Sequence, residues 1–152
     1  MTISTKILLA GAGYMAKEYA KVMQSMNVPF VVIGRSKNSA SDFKKDTGIN
    51  CQSGGIKKWL KTNRSPKWAV VAVTGDQLGI VTRELIYAGC KNILVEKPGG
   101  LDGNDMQITV DAEMHIHAHS IMTEQEILKD ATQRAEQNGD GNVLVDLHYQ
   151  GN

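Results

Sequence analysis

Lys6-Ile7-Leu8-Leu9-Ala10-Gly11-Ala12-Gly13-Tyr14-Met15-Ala16 is the stretch that decides the fold. Ile7 to Ala10 are apolar without interruption, the pattern of a strand covered on both faces rather than one with a wet side. Gly11 ends the run. Behind it, apolar residues recur at Met15, Tyr19, Val22, Met23 and Met26, the spacing of one helical face. Strand, glycine turn and helix thus follow one another, and Asn27 and Pro29 close the helix. Phe30-Val31-Val32-Ile33 then repeats the continuous apolar run and stops at Gly34, which predicts a second buried strand.

The same alternation continues outward. Ser39 to Asp46 predicts a short helix ended by Gly48, leading to a weak edge strand over Ile49 to Gln52. Ile56, Trp59 and Leu60 mark one face of a helix that carries Lys57, Lys58, Lys61 and Arg64 elsewhere, and Pro66 blocks its continuation. Trp68 to Val73 is the strongest strand signal in the chain. A helix from about Gln77 to Ala88, ended by Gly89, precedes a fifth strand over Asn92 to Val95. Strands apolar on both faces and separated by helices imply a doubly wound parallel α/β sheet of Rossmann type, with right-handed crossovers.

Beyond Leu101 two periods compete. Ile108, Val110, Ala112, Met114, Ile116 and Ala118 alternate with polar residues, as on a strand, whereas Met106, Val110 and Met114 are four apart, as on a helix. A sixth parallel strand needs a crossover before it, so a helix over Asn104 to Glu113 and a strand from His115 to Ile121 are expected. Thr123-Glu124-Gln125-Glu126 is a capping box for a helix running to Gln137. Val143, Val145 and Leu147 then mark a last strand. Residues 1–121 are read as a dinucleotide-binding domain and 122–152 as a helix-strand extension.

Composition agrees with this reading. At 152 residues, with 41% hydrophobic and 22% charged, the chain has the make-up of about one globular domain. The net charge of +1 supplies no global field to steer nucleic acid or an anionic membrane. Cys51 and Cys90 lie far apart, near no second Cys or His at metal spacing, and predict a reducing compartment. The first apolar run is too short for a signal peptide or a bilayer span, so a cytoplasmic protein is expected.

Gly11-Ala12-Gly13-Tyr14-Met15-Ala16 matches the dinucleotide fingerprint, with Ala in the third small position. Gly11 permits the tight turn, Gly13 lets the backbone approach a pyrophosphate, and Ala16 allows close helix-strand packing. The helix start at Tyr14 and Met15 offers unpaired N–H groups to the phosphates. At the end of the second strand, where an acidic residue would bond the ribose of NAD, the chain has Gly34-Arg35-Ser36. A guanidinium and a hydroxyl suit a 2′-phosphate, so NADP is expected in preference to NAD. Glu96-Lys97-Pro98 follows the fifth strand and sets Lys97 at the carboxyl edge of the sheet, where an ammonium can hydrogen-bond a sugar hydroxyl and stabilise its alkoxide.

The glycine motif, the strand ending in Thr74-Gly75, and Ala88-Gly89-Cys90-Lys91-Asn92-Ile93-Leu94-Val95-Glu96-Lys97-Pro98 together resemble the N-terminal domain of the glucose-fructose oxidoreductase, inositol dehydrogenase and MocA family, over about residues 5 to 121. The resemblance implies an NAD(P)-binding oxidoreductase domain acting on a sugar or sugar-nucleotide substrate. It implies that Lys97 positions substrate and assists proton transfer, that Thr74 and Gly75 run along the cofactor, and that Glu96 and Pro98 belong to the same site. Three departures stand out. Thr74-Gly75 replaces the usual Thr-Pro, Asp76-Gln77-Leu78 stands where a histidine commonly follows, and the Asn-Arg-Arg after the sixth strand is missing around Ser120-Ile121-Met122. The family also continues into a large substrate domain supplying a catalytic histidine, of which the chain carries only what would be the first strand. The domain is therefore expected to be incomplete alone and to be completed in a homo-oligomer. The competing expectation is a nucleotide-binding or assembly module without catalysis.

Two other clusters carry ionisable or aromatic side chains. His115, His117 and His119 would share one side of the sixth strand, but polar residues at a sheet edge are the preferred reading and no metal is expected. The basic residues Lys57, Lys58, Lys61, Arg64 and Lys67 read as a solvated helix face, with Trp59 and Trp68 as core anchors, and no nucleic acid partner is expected.

Overall fold

A computed structural model describes residues 6–121, and side chains as far as residue 113. Five parallel strands lie in the order β3-β2-β1-β4-β5. They are β1 (Ile7–Ala10), β2 (Phe30–Ile33), β3 (Cys51–Gln52), β4 (Trp68–Val71) and β5 (Asn92–Val95). Strand β1 is central, with Leu9 paired to Val32 on one side and to Val70 on the other. The helices are α1 (Tyr14–Ser25), α2 (Lys37–Thr47), α3 (Gly55–Trp59), α4 (Gly75–Tyr87) and α5 (Gly103–Ile121).

The unbroken apolarity of β1 is accounted for by what covers each face. Leu8 and Ala10 enter a core with Ile56 of α3 and Leu78, Val81 and Leu85 of α4. Leu9 points the other way, into a core with Ala16, Ala20 and Met23 of α1 and Phe43 of α2. Leu8 and Leu9 are both fully buried, so neither face of the strand can carry a polar side chain. The doubly wound sheet expected from the sequence is the one observed.

Helix α2 starts at Lys37, two residues before the expected Ser39. Ser36 is its N-cap and accepts a hydrogen bond from the Ser39 N–H at 3.1 Å, while the Ser39 hydroxyl receives the Ser36 N–H in return. A serine at the third helical position thus completes a capping box usually closed by Glu or Gln. Helix α3 is shorter than its pattern predicts. The Asn63 side-chain amide and backbone N–H both donate to the Trp59 carbonyl, at 2.9 and 3.1 Å, and this ends the helix before Pro66. Trp59 packs against the core, but Trp68 is 47% exposed at the start of β4, so only the first of the two tryptophans is a core anchor.

The largest correction concerns α5. The expected strand from His115 to Ile121 is instead the second half of a single 19-residue helix. No glycine or proline interrupts 104–121, and the first turns are anchored to α4. Arg83 Nη1 donates to Asp105 Oδ1 and to Thr109 Oγ1, both at 2.8 Å. Alternate positions on a helix are about 200° apart, so position 117 lies opposite 115 and 119, and the three do not share one side as they would on a strand. Among the described residues no group of His, Cys, Asp or Glu could hold a metal ion. None of the described helices is long and apolar enough to cross a membrane. The expected helix from Thr123, the last strand and the boundary at 122 lie outside the described residues.

Candidate functional site

The chain reverses its winding between β1 and β4. Helices α1 and α2 pack on one face of the sheet and α3 and α4 on the other, which opens a crevice at the carboxyl ends of the strands. A cleft of about 410 Å³ lies there. Four of the residues singled out from the sequence line it together: Gly11, Gly13, Arg35 and Thr74.

The two glycines of the first turn are required for different reasons. Gly11 has φ +126°, and a Cβ on it would overlap the carbonyl of Ala72 at the end of β4. Its role is to let the turn cross the neighbouring strand. Gly13 has ordinary extended geometry, φ −86° and ψ −167°, and a Cβ on it would meet nothing within 4 Å among the described residues. It is the N-cap of α1 and offers no side-chain acceptor, and the first turn of that helix carries no acidic residue. The positive end of α1 therefore opens on the cleft with room above it, an arrangement suited to an anion.

Arg35 lines the cleft at the end of β2. Ser36 does not; its hydroxyl bonds to Ser39 in the α2 cap, and Ser39 lines the wall. On α4, Thr74 is the N-cap and Gly75 the first residue. Hydrogen bonding from the Thr74 and Gln77 side chains, aided more weakly by the charge of Arg35, holds the Asp76 carboxyl below its usual range. The side chains of Tyr14 and Met15 are exposed and do not line the cleft.

Part of the cleft was not anticipated. Gly54 and Gly55, both with positive φ, form its floor, and their N–H groups donate to the carbonyls of Arg35 and Gly34 at 3.2 and 3.0 Å. The Gly54-Gly55 pair, one residue beyond β3, is the signal for it in the sequence. Ile56, Ile80 and Val81 give an apolar wall, with Lys57 and Glu84 at its edge. Burial pushes the Glu84 carboxyl up, against the opposing pull of Lys57.

Glu96, Lys97 and Pro98 stand apart from this cleft, in the turn after β5, two strand spacings or about 10 Å from β1. Lys97 is exposed. Glu96 is held closely: its N–H donates to the Val71 carbonyl, its own carbonyl accepts from the Gly99 N–H, both at 2.9 Å, and its Oε1 accepts from the Tyr19 hydroxyl at 2.6 Å. The bond to Glu96, burial and the carboxylate's charge push the Tyr19 phenol up to about 12, so it remains a neutral donor at physiological pH.

Residues 5–119 match the model of an oxidoreductase family with an NAD-binding Rossmann fold. No curated protein sequence shows significant similarity to the chain. Among solved structures the chain is similar in fold to an oxidoreductase from Agrobacterium radiobacter in complex with NAD+, L-tartaric acid and magnesium, at 14% identity and TM-score 0.63, covering 75% of this chain and 33% of that one. It is likewise similar to the WlbA dehydrogenase from Bordetella pertussis in complex with NADH and UDP-GlcNAcA, at 18% identity and TM-score 0.62, covering 75% and 35%. GenD2 from gentamicin A biosynthesis in complex with NAD is similar at 20% identity and TM-score 0.61, covering 77% and 33%. The chain thus spans about a third of the length of these structures.

Proposed function

The chain belongs to the Gfo/Idh/MocA oxidoreductase family, with its NAD-binding Rossmann fold, and from that premise we propose that residues 1–121 form the coenzyme-binding domain of an NADP(H)-preferring oxidoreductase acting on a sugar or sugar-nucleotide substrate. The observation that carries this reading is Gly13. Among the described residues nothing demands a glycine there, yet the missing Cβ opens on the bare N-terminus of α1 inside the cleft. The space suits a diphosphate. Gly11, Gly13 and the backbone of Tyr14 and Met15 would hold it, with Thr74 and Gly75 on the opposite lip, and the Ile56, Ile80 and Val81 wall would take the adenine ring.

When bound, the coenzyme supplies the ring that accepts or donates hydride. The remaining work falls to this chain. Lys97 is the catalytic residue proposed: in reduction its ammonium would hydrogen-bond the substrate carbonyl, stabilise the alkoxide formed there and give it a proton, and in oxidation the neutral amine would take that proton back from the hydroxyl. One of the similar structures bears on both substrate and coenzyme. The Bordetella WlbA structure contains UDP-GlcNAcA, which favours a sugar nucleotide, and it contains NADH, whereas the preference for NADP here rests on Arg35 in place of an acidic residue.

Serine is a better N-cap than glycine and suits the extended backbone at this position. Gly13→Ser is therefore expected to leave the unfolding free energy within about 0.5 kcal/mol of the parent, while lowering NADPH affinity at least tenfold. Fluorescence titration beside urea denaturation measures both. Equal binding by the variant and the parent would remove the diphosphate from this turn.

Arg35→Asp separates the coenzymes. A charge-assisted bond to a 2′-phosphate contributes about 1.5–3 kcal/mol, so NADPH affinity should fall about ten- to hundredfold while NADH affinity holds or rises. Parallel loss of both would place Arg35 outside phosphate recognition.

A further inference from the structure

We propose that Tyr19 is a positioning residue: through its hydrogen bond to Glu96 it fixes the turn that carries Lys97 relative to the helix that holds the coenzyme's diphosphate. The inference rests on the coenzyme reading above and extends it to a residue outside both the glycine motif and the Glu-Lys-Pro motif. Tyr19 lies on α1, six residues and so about 9 Å along the helix from Gly13. Glu96 lies 77 residues later, at the far side of the sheet's carboxyl edge. The 2.6 Å bond between them directly joins the element that would hold the phosphates to the turn that would face the reacting end.

The turn depends on that bond for its orientation. The Glu96 backbone continues the β4 ladder through Val71, and Gly99 closes the turn, so main-chain bonds fix its stem. Beyond the stem, the exposed Lys97 and Pro98 have no side-chain hydrogen bond among the described residues, and the Glu96 carboxylate is the one side-chain tether of the turn. Oε2 of that carboxylate keeps no protein partner among the described residues, so the Tyr19 bond orients it without consuming it. The tyrosine ring itself packs on the α1–α2 core, which sets the hydroxyl and leaves little freedom to the donor. Position 19 was already legible as a core-facing helical residue. Its hydroxyl is the part that core packing does not explain.

Tyr19→Phe tests this, since it keeps the ring and its packing and removes only the donor. In the full 152-residue chain, titrated with NADH, NADPH and ADP-ribose, the variant should bind ADP-ribose within twofold of the parent. Its affinity for the reduced coenzymes should fall about tenfold, the equivalent of one hydrogen bond to a charged group, with a changed emission from the bound nicotinamide. Glu96→Gln keeps an oxygen that accepts from Tyr19 and should lose less than Tyr19→Phe. Equal affinities for the reduced coenzymes in Tyr19→Phe and parent would overturn the proposal. So would a parallel fall for ADP-ribose and coenzymes, because a merely structural bond would weaken both halves alike. A parent chain that binds none of the three ligands would instead bring down the coenzyme reading itself, and the two failures are therefore distinct.

Discussion

Gly11→Ala should lower the stability of the chain by about 2–6 kcal/mol, a large share of the 5–15 kcal/mol typical of a domain. Two costs combine. At φ +126° the added Cβ forces a backbone conformation that non-glycine residues rarely adopt, at about 1–3 kcal/mol. It also overlaps the Ala72 carbonyl, and neither side can retreat. The Gly11 N–H donates to Ile33 at 2.9 Å and the Ala72 N–H donates to Ala10 at 2.8 Å, so the turn and the strand end are both locked into the centre of the sheet. Forced overpacking adds about 1–3 kcal/mol. Urea denaturation measures the sum, and a variant within 1 kcal/mol of the parent would show that the turn can shift. The contrast with Gly13→Ser is what matters for function: the first glycine of the motif is held by the fold, whereas the second is left open by it.

Gly79→Ala should also destabilise, by about 2 kcal/mol, although helix propensity predicts the opposite sign. Gly79 sits inside α4, where alanine normally gains about 1 kcal/mol. Here a Cβ would overlap the Asp105 carboxylate. That carboxylate accepts from Arg83 Nη1 at 2.8 Å and from the Leu101 N–H at 2.9 Å, and the Leu101 bond and Arg83 hold its carboxyl below the usual range. Displacing it sacrifices charge-assisted bonds of about 1.5–3 kcal/mol each, which outweighs the propensity gain. In an Asp105→Ala background the same substitution should turn stabilising, by about 1 kcal/mol, because only the propensity term is left. Thermal and urea unfolding of the four chains decides it. An unchanged sign across the two backgrounds would show that Asp105 does not set the requirement for glycine.

The comparison of sequence with structure turns on how local each signal is. Strands β1 and β2 begin and end where their apolar runs do, since Gly11 and Gly34 end them and burial on both faces writes continuous apolarity into the chain. The α5 segment carried two overlapping periods, and its sequence could not rank them. The contacts from Arg83, 22 and 26 residues away, favour the helix over the strand for its first turns. Ser36 illustrates the same limit at the candidate site. Its residue type suits a phosphate, but its hydroxyl has a nearer partner in Ser39.

By itself the sequence determined the alternation of strands and helices, the glycine turn, Arg35 at the end of β2 and the Glu-Lys-Pro turn, because each is a pattern of neighbours along the chain. Tertiary structure alone decided that Gly11 answers to Ala72, Gly79 to Asp105 and Tyr19 to Glu96, and that Gly54 and Gly55 close the cleft. These pairings depend on which strands lie side by side and which helices cross. Partners 26, 61 or 77 residues apart leave no local mark on either residue, and only the folded chain brings their atoms within contact distance.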